Sequence, residues 1–180
     1  MMSEILDIVN GRDEVIGQAE RNEVHRVGLV CRLVYVLFYT ANGEIILQKR
    51  SMTKKNDPGK LTTTVSGHVA SGQSYLEAAV RETFEETGVV IEANDLVSLG
   101  VVRADYVQGD YLSYAMRGLF AYKFDGGISD LKVEDEDGAG FIALSIDEFE
   151  RQVGAEPEKF AMVLADKPGE ILTQGIKKQR

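Results

Sequence analysis

The chain has 180 residues, of which 44% are hydrophobic and 27% charged, with 20 Lys and Arg against 29 Asp and Glu for a net charge of −9. These proportions exclude a disordered or fibrous chain, and a single domain of this length buries a sufficient core without disulfides or a structural metal. The acidic balance, with no basic stripe, argues against nucleic acid as a partner and calls for a metal ion wherever an anionic ligand is to be held.

The N-terminus, MMSEILDIVN, has neither a basic leader region nor a long apolar run, so it does not read as a secretory signal. Ile5 to Val9 is short and apolar and pairs in expectation with Val15 to Ala19 across the turn Asn10-Gly11-Arg12-Asp13. Val30 to Tyr39, rich in β-branched and aromatic residues, reads as a buried strand. The apolar stretch Val27 to Tyr39 is interrupted by Arg32 and is shorter than the roughly 20 residues that span a bilayer, so no membrane association is expected. The single Cys31 has no internal partner, which fits a reducing cytoplasm. Asn42-Gly43 marks a hairpin turn with Glu44 to Lys49 as the return strand. Ser51 to Leu61 is a polar loop, and Thr62 to Gly72 a loop of small residues.

Ser74 is placed to cap a helix over Tyr75 to Thr87, with Glu77 as capping-box partner and Gly88 as the stop. Leu96 to Tyr106 and Tyr111 to Phe124 read as strands, the second broken by Asp125-Gly126-Gly127. Phe141 to Leu144 is a short strand, Ser145 caps a helix to Val153, and Pro157 to Ala165 reads as one more helix. The pattern predicts an α/β (α+β) fold with one mixed sheet covered by helices on both faces, in a single domain over residues 1–180.

The helix over Tyr75 to Thr87 carries the chemistry. Leu76, Val80, Thr83, Phe84 and Thr87 fall on one stripe, which is expected to face the core. Glu82, Glu85 and Glu86 share another face, with Cβ atoms about 5–6 Å apart. Like charges so placed repel, and Arg81 does not obviously neutralise Glu82 and Glu86. A divalent cation would, since Mg²⁺ prefers carboxylate oxygens and shares its site with phosphates. A solvated acidic helix face has the same spacing. The preceding loop favours the cation, because Gly67 lets backbone come close and its carbonyl could face the carboxylates.

Gly67 to Val89 reads GHVASGQSYLEAAVRETFEETGV. This resembles the Nudix box: Gly67, Arg81, Glu82, Glu85, Glu86, Gly88 and Val89 match in register, while Gln73 stands where that family has Glu and Thr83 where it prefers an aliphatic residue. Glu77, four residues before Arg81, is positioned to take over the role of the missing Glu in holding the arginine. The resemblance implies a Nudix-type α/β/α sandwich. It also implies a hydrolase that cleaves a diphosphate in a nucleoside diphosphate-linked or similar small molecule. Gly67, Glu82, Glu85 and Glu86 would hold Mg²⁺ or Mn²⁺, and Arg81 would belong to the catalytic set. The general base would be Glu82, or Glu136 or Glu134 from the acidic loop Val133 to Gly138.

The segment Leu6 to His25, within an N-terminal extension over residues 1–25 that is expected to pair with the core, and QKRSMTKKNDPGK over Gln48 to Lys60 resemble the isopentenyl diphosphate isomerase branch of that family. Lys55, and Arg50 nearby, would then bind the diphosphate. Isomerase chemistry does not carry over. Ser66 stands where isomerases have a cysteine, Cys31 where they have a metal-site histidine, and Ser113 and Ala115 where they have glutamates. His25 and His68 match isomerase metal-site histidines but read here as hydrogen-bonding or packing residues. A non-catalytic ligand-binding module is the other alternative, favoured by Gln73. Tyr106, Tyr111 and Tyr114 either stack on a base or are ordinary strand aromatics. Apolar strand edges are compatible with a homodimer.

Overall fold

The computed structural model describes residues 4–54, 56–133 and 138–179. The chain opens with β1 (Ile5–Val9) and β2 (Val15–Glu20), an antiparallel pair joined across the expected turn. Asp13 adopts a positive φ there and receives the Arg32 Nε–H at 2.7 Å. A short helix, α1 (Arg21–Val27), follows and stops at Gly28, which turns left-handed at φ 75°. The sequence reading placed no element there, because seven polar-rich residues carry little amphipathic signal.

The main sheet is built on β3 (Cys31–Tyr39), which is buried at every position except Arg32. A near-continuous apolar strand of this kind belongs at the centre of a sheet covered on both faces. β3 runs parallel to β8 (Tyr111–Lys123) and antiparallel to its other neighbours, and β8 pairs in turn with β7 (Leu96–Gln108). On its other edge β3 first meets β4 (Glu44–Arg50), but only at Phe38 and Tyr39. β4 carries β9 (Gly138–Ser145) on its other edge from Glu44 to Arg50, and beyond Ile46 it splays from β3 to pair with β5 (Leu61–Thr62). β6 (Val65–His68) takes the vacated edge of β3 from Val36 to Leu33. Part of the small-residue segment expected as loop is therefore strand, held there by the exposed backbone of β3 that β4 leaves behind.

Alternate residues of β3 serve two cores. Leu33, Tyr35 and Leu37 pack on one face with residues of α3 (Ile146–Ala155), α4 (Met162–Ala165) and α5 (Lys167–Lys177). Val34, Val36 and Phe38 pack on the other with Ala78 and Ala79 of α2 (Tyr75–Thr87). This is the expected mixed sheet between helical layers. The segment Pro157 to Ala165 is a 3₁₀ turn followed by α4 rather than one helix, and α5 beyond it was not anticipated.

The buried face of α2 also differs from expectation. Ala78, Ala79, Thr83 and Thr87 are buried, while Leu76 and Phe84 are 36% and 57% exposed. The helix lies close over the sheet, and close contact selects small side chains over large ones. No helix among the described residues is long and apolar enough to cross a membrane.

Candidate active site

The junction of β6 and α2 assembles the expected acidic cluster. Ser74 caps α2: its hydroxyl accepts from Glu77 N at 3.2 Å, and the Glu77 carboxylate accepts from Ser74 N at 2.8 Å. Both groups fill orphan valences at the helix start and fix its direction. About two and three turns later the helix is laced to β6. Glu86 Oε2 accepts from Ser66 N at 3.2 Å, and Arg81 Nη2 donates to His68 O at 3.0 Å. Between these bonds the Glu82 carboxyl lies against Gly67, where an added Cβ would fall 2.0 Å from Glu82 Cδ. Only a glycine fits there.

Arg81 forms ion pairs with Glu82 at 2.8 Å and with Glu85 at 2.7 Å. This corrects two expectations. Arg81 does neutralise part of the Glu82 charge, and Glu77 does not hold Arg81 because its carboxylate is committed to the cap. Gln73 leaves its Oε1 buried without a hydrogen-bond partner among the described residues. Burial pushes the Glu82 carboxyl up to about 7, with Glu85 adding to the rise and Arg81 opposing it.

Gly67, Arg81, Glu82, Glu85, Glu86 and Arg50 all line one cleft of about 1180 Å³. Arg50 donates through Nε to Asn56 O at 3.0 Å. Lys55, Glu134 and Glu136 lie outside the described residues. The donors converging here are all hard oxygens, the set that suits Mg²⁺ or Mn²⁺. Arg81 pairs with two of the three carboxylates, those of Glu82 and Glu85.

His25, Cys31 and His68 present ligand atoms within 4.8 Å of one another, all buried. His25 Nε2 meets His68 Nε2 at 2.7 Å, and His25 Nδ1 meets Leu112 O at 3.0 Å. Burial lowers the His25 pKa and takes that of His68 well below the usual imidazole range. Burial pushes the Cys31 thiol up to about 11, so it stays protonated at neutral pH. The two rings are hydrogen-bonded to each other, and His25 also stacks on Tyr111 with ring centroids 4.2 Å apart.

A sequence profile of the NUDIX domain matches residues 31–162. The chain belongs to the Nudix family. This Nudix chain is 27% identical over 154 residues to an uncharacterised Nudix hydrolase of Clostridium acetobutylicum, covering 84% of this chain and 74% of that protein. It is 31% identical over 125 residues to an isopentenyl-diphosphate Delta-isomerase of Serratia proteamaculans, covering 69% of each. With a Yersinia pestis Nudix hydrolase the match spans about half of each, 48% of this chain and 47% of that protein. The crystal structure of DR0079 from Deinococcus radiodurans superposes with a TM-score of 0.75 at 26% identity, covering 97% of this chain and 98% of that one.

The Nudix cleft also holds residues that the sequence reading did not single out. Arg117 of β8 is fully buried, and Gln48 of β4 is 3% exposed, yet both line the cleft. Tyr106 and Tyr111 line it too; Tyr114 is not among its lining residues. An arginine inside the apolar strand YLSYAMRGLFAYK was a visible signal, since a buried charge in a sheet needs a reason.

Proposed function

We propose that this Nudix chain is a divalent-metal-dependent hydrolase that cleaves a diphosphate linkage in a small organic molecule by attack of water at phosphorus. The observation that carries the reading is the contact of Glu82 with Gly67, which brings a buried carboxyl beside the Gly67 backbone in a cluster shared with Glu85 and Glu86. The Gly67 carbonyl, Glu82, Glu85 and Glu86 would hold Mg²⁺ or Mn²⁺. When bound, such an ion polarises phosphoryl oxygens and lowers the pKa of water. Arg81 orients Glu82 and Glu85, and Arg50 offers a positive charge to the phosphates from the rim. Glu82 is the general base we favour among the described residues, because burial has already raised its proton affinity toward neutral pH. Glu134 and Glu136 remain the alternatives, and Lys55 a second diphosphate contact.

The similarity to an isomerase favours a second reading, but the residues oppose it. Ala115, paired with Cys31 across the sheet, has no carboxylate to offer beside the two histidines. Ser66 has only a hydroxyl. The single cysteine, buried and protonated, fits a cytoplasmic setting. A homodimer is proposed through the free outer edge of β7, to be read by the mass of the protein in solution.

The experiment is a hydrolysis screen with Mg²⁺ over nucleoside diphosphate sugars, dinucleoside polyphosphates, nucleotide cofactors and prenyl diphosphates. Chelation should abolish turnover, and Glu85→Gln should lower kcat by at least ~10³-fold, the loss of several kcal/mol of charge stabilisation. An unchanged rate in that variant would refute the assignment.

A further inference from the structure

Among the described residues, Arg117 is bonded only to neutral groups. Its Nε donates to Ala104 O at 3.0 Å, its Nη2 to Ser113 O and Ser113 Oγ at 3.0 Å each, and its Nη1 to the Tyr35 hydroxyl. Every one of these partners is neutral. Among the described residues no carboxylate forms an ion pair with it, although the side chain is fully buried. Its Cζ sits 4.4 Å from the Tyr106 ring centroid and 5.5 Å from that of Tyr35, which hold the guanidinium in place without cancelling its charge. A desolvated charge is strongly unfavourable unless an opposite charge meets it.

Two further polar atoms on the same cleft are unsatisfied. Gln48 Nε2 and the Tyr106 hydroxyl are buried with no hydrogen-bond partner among the described residues. Gln48 Nε2 and the guanidinium can only donate, and the Tyr106 hydroxyl can donate too. This part of the cleft thus sets a guanidinium held only by neutral partners beside two unpartnered polar atoms that can donate. A prenyl chain would leave the amide and the phenol without partners and the charge unmet. A neutral sugar would satisfy the amide and the phenol but not the charge.

We propose that this part of the cleft binds an anionic oxygen group, a carboxylate or a phosphate ester, carried by the substrate beyond its diphosphate. The inference rests on the diphosphatase reading for the position of the diphosphate. Arg117 is in register with Leu33, and Leu33 with His68, so Arg117 stands two strands from the Gly67-His68 corner. Two interstrand spacings put it about 10 Å away. That distance suits a substrate with roughly one sugar between its diphosphate and its second anion.

Matched ligand pairs test this. UDP-glucuronate differs from UDP-glucose by a carboxylate, and NADPH from NADH by a phosphate ester. Affinities are measured by titration calorimetry in excess EDTA, so that nothing is turned over, and hydrolysis of all four is followed separately with Mg²⁺. The anionic member of at least one pair should bind at least ~10-fold tighter, and the pair that responds identifies the anion. Arg117→Met should bring that ratio within ~2-fold. Tyr106→Phe and Gln48→Leu should each reduce it by a smaller factor and carry the test if Arg117→Met does not fold. Equal affinity within both pairs, binding of none of the four, or a preference that survives these substitutions overturns the subsite. Anion preference without Mg²⁺-dependent hydrolysis counts against the diphosphatase reading alone, and hydrolysis without anion preference against the subsite alone.

Discussion

Glu82 occupies the space in which any side chain on residue 67 would have to sit. The Cβ position of Gly67 is 2.0 Å from Glu82 Cδ and 2.1 Å from Glu82 Oε1, and Glu82 has little freedom to move because its side chain is only 12% exposed and paired with Arg81. Gly67→Ala should therefore expel the carboxyl. The overpacking should cost about 1–3 kcal/mol, a fall in Tm of ~2–4 °C for each kcal/mol. Hydrolysis should fall by ~10²-fold or more, because displacements near 1 Å in a reacting site have that effect. Steady-state kinetics beside a thermal melt checks both, and a variant with undiminished kcat would show that the contact is incidental.

Much of this arrangement was legible in the sequence because it is local. The capping box of Ser74 and Glu77, the stop at Gly88 and the grouping of Glu82, Glu85 and Glu86 depend on residues within a few turns of one helix, and all appear as read. What depended on distant partners was not legible. The commitment of Glu77 to the cap rather than to Arg81 is decided by competition between two nearby donors. The exposure of Leu76 and Phe84 follows from how close α2 lies to a sheet whose order no local pattern gives. β6 is strand because β4 splays from β3, and Arg117 enters the cleft because β8 runs parallel to β3.

The capping box makes a stability prediction separable from activity. Ser74→Ala removes the hydroxyl that meets Glu77 N at 3.2 Å and frees the Glu77 carboxylate from one of its donors. Loss of such a cap costs about 1 kcal/mol. Denaturant unfolding should show that loss with an unchanged m-value, while kcat stays within ~2-fold because Arg81 and the glutamates follow about two and three turns later. A kcat loss matching that of Gly67→Ala would mean that the helix start governs the site directly.

Cys31 should be silent toward thiol reagents in the folded protein. It is fully buried, and burial pushes its thiol up to about 11 from an ordinary value of 9.0. Since thiolate is the reactive form, a disulfide reagent at pH 8 should label it only after unfolding. The raised value also bears on stability. The unfolded chain releases this proton more readily than the folded one, so the contribution is present below pH 9 and is lost as pH rises toward 11. Cys31→Ala should flatten the alkaline limb of the Tm profile, and rapid labelling of native protein would contradict the burial.

The histidine pair should make the fold acid-sensitive below about pH 6.5, against the Glu82 carboxyl, whose raised pKa of about 7 works in the opposite direction. Leu112 O can only accept, so His25 carries its proton on Nδ1 and its Nε2 lone pair receives the Nε2–H of His68. That assignment holds only while both rings are neutral. Burial lowers both pKa values, and the nearby charges of Arg21 and Arg117 act in the same direction; on His25 they are opposed by the hydrogen bond to Leu112 O and, more weakly, by Glu4. As pH falls below about 6.5 the unfolded chain takes up protons that the fold refuses, so stability is full above that pH and declines beneath it. Melting curves in EDTA from pH 7.5 to 5 should show a steady fall in Tm. His25→Gln, which keeps a donor and an acceptor but cannot titrate, should make the fall shallower at some cost in Tm at pH 7.5. An identical slope in His25→Gln and His68→Gln would mean that the pair does not govern acid sensitivity.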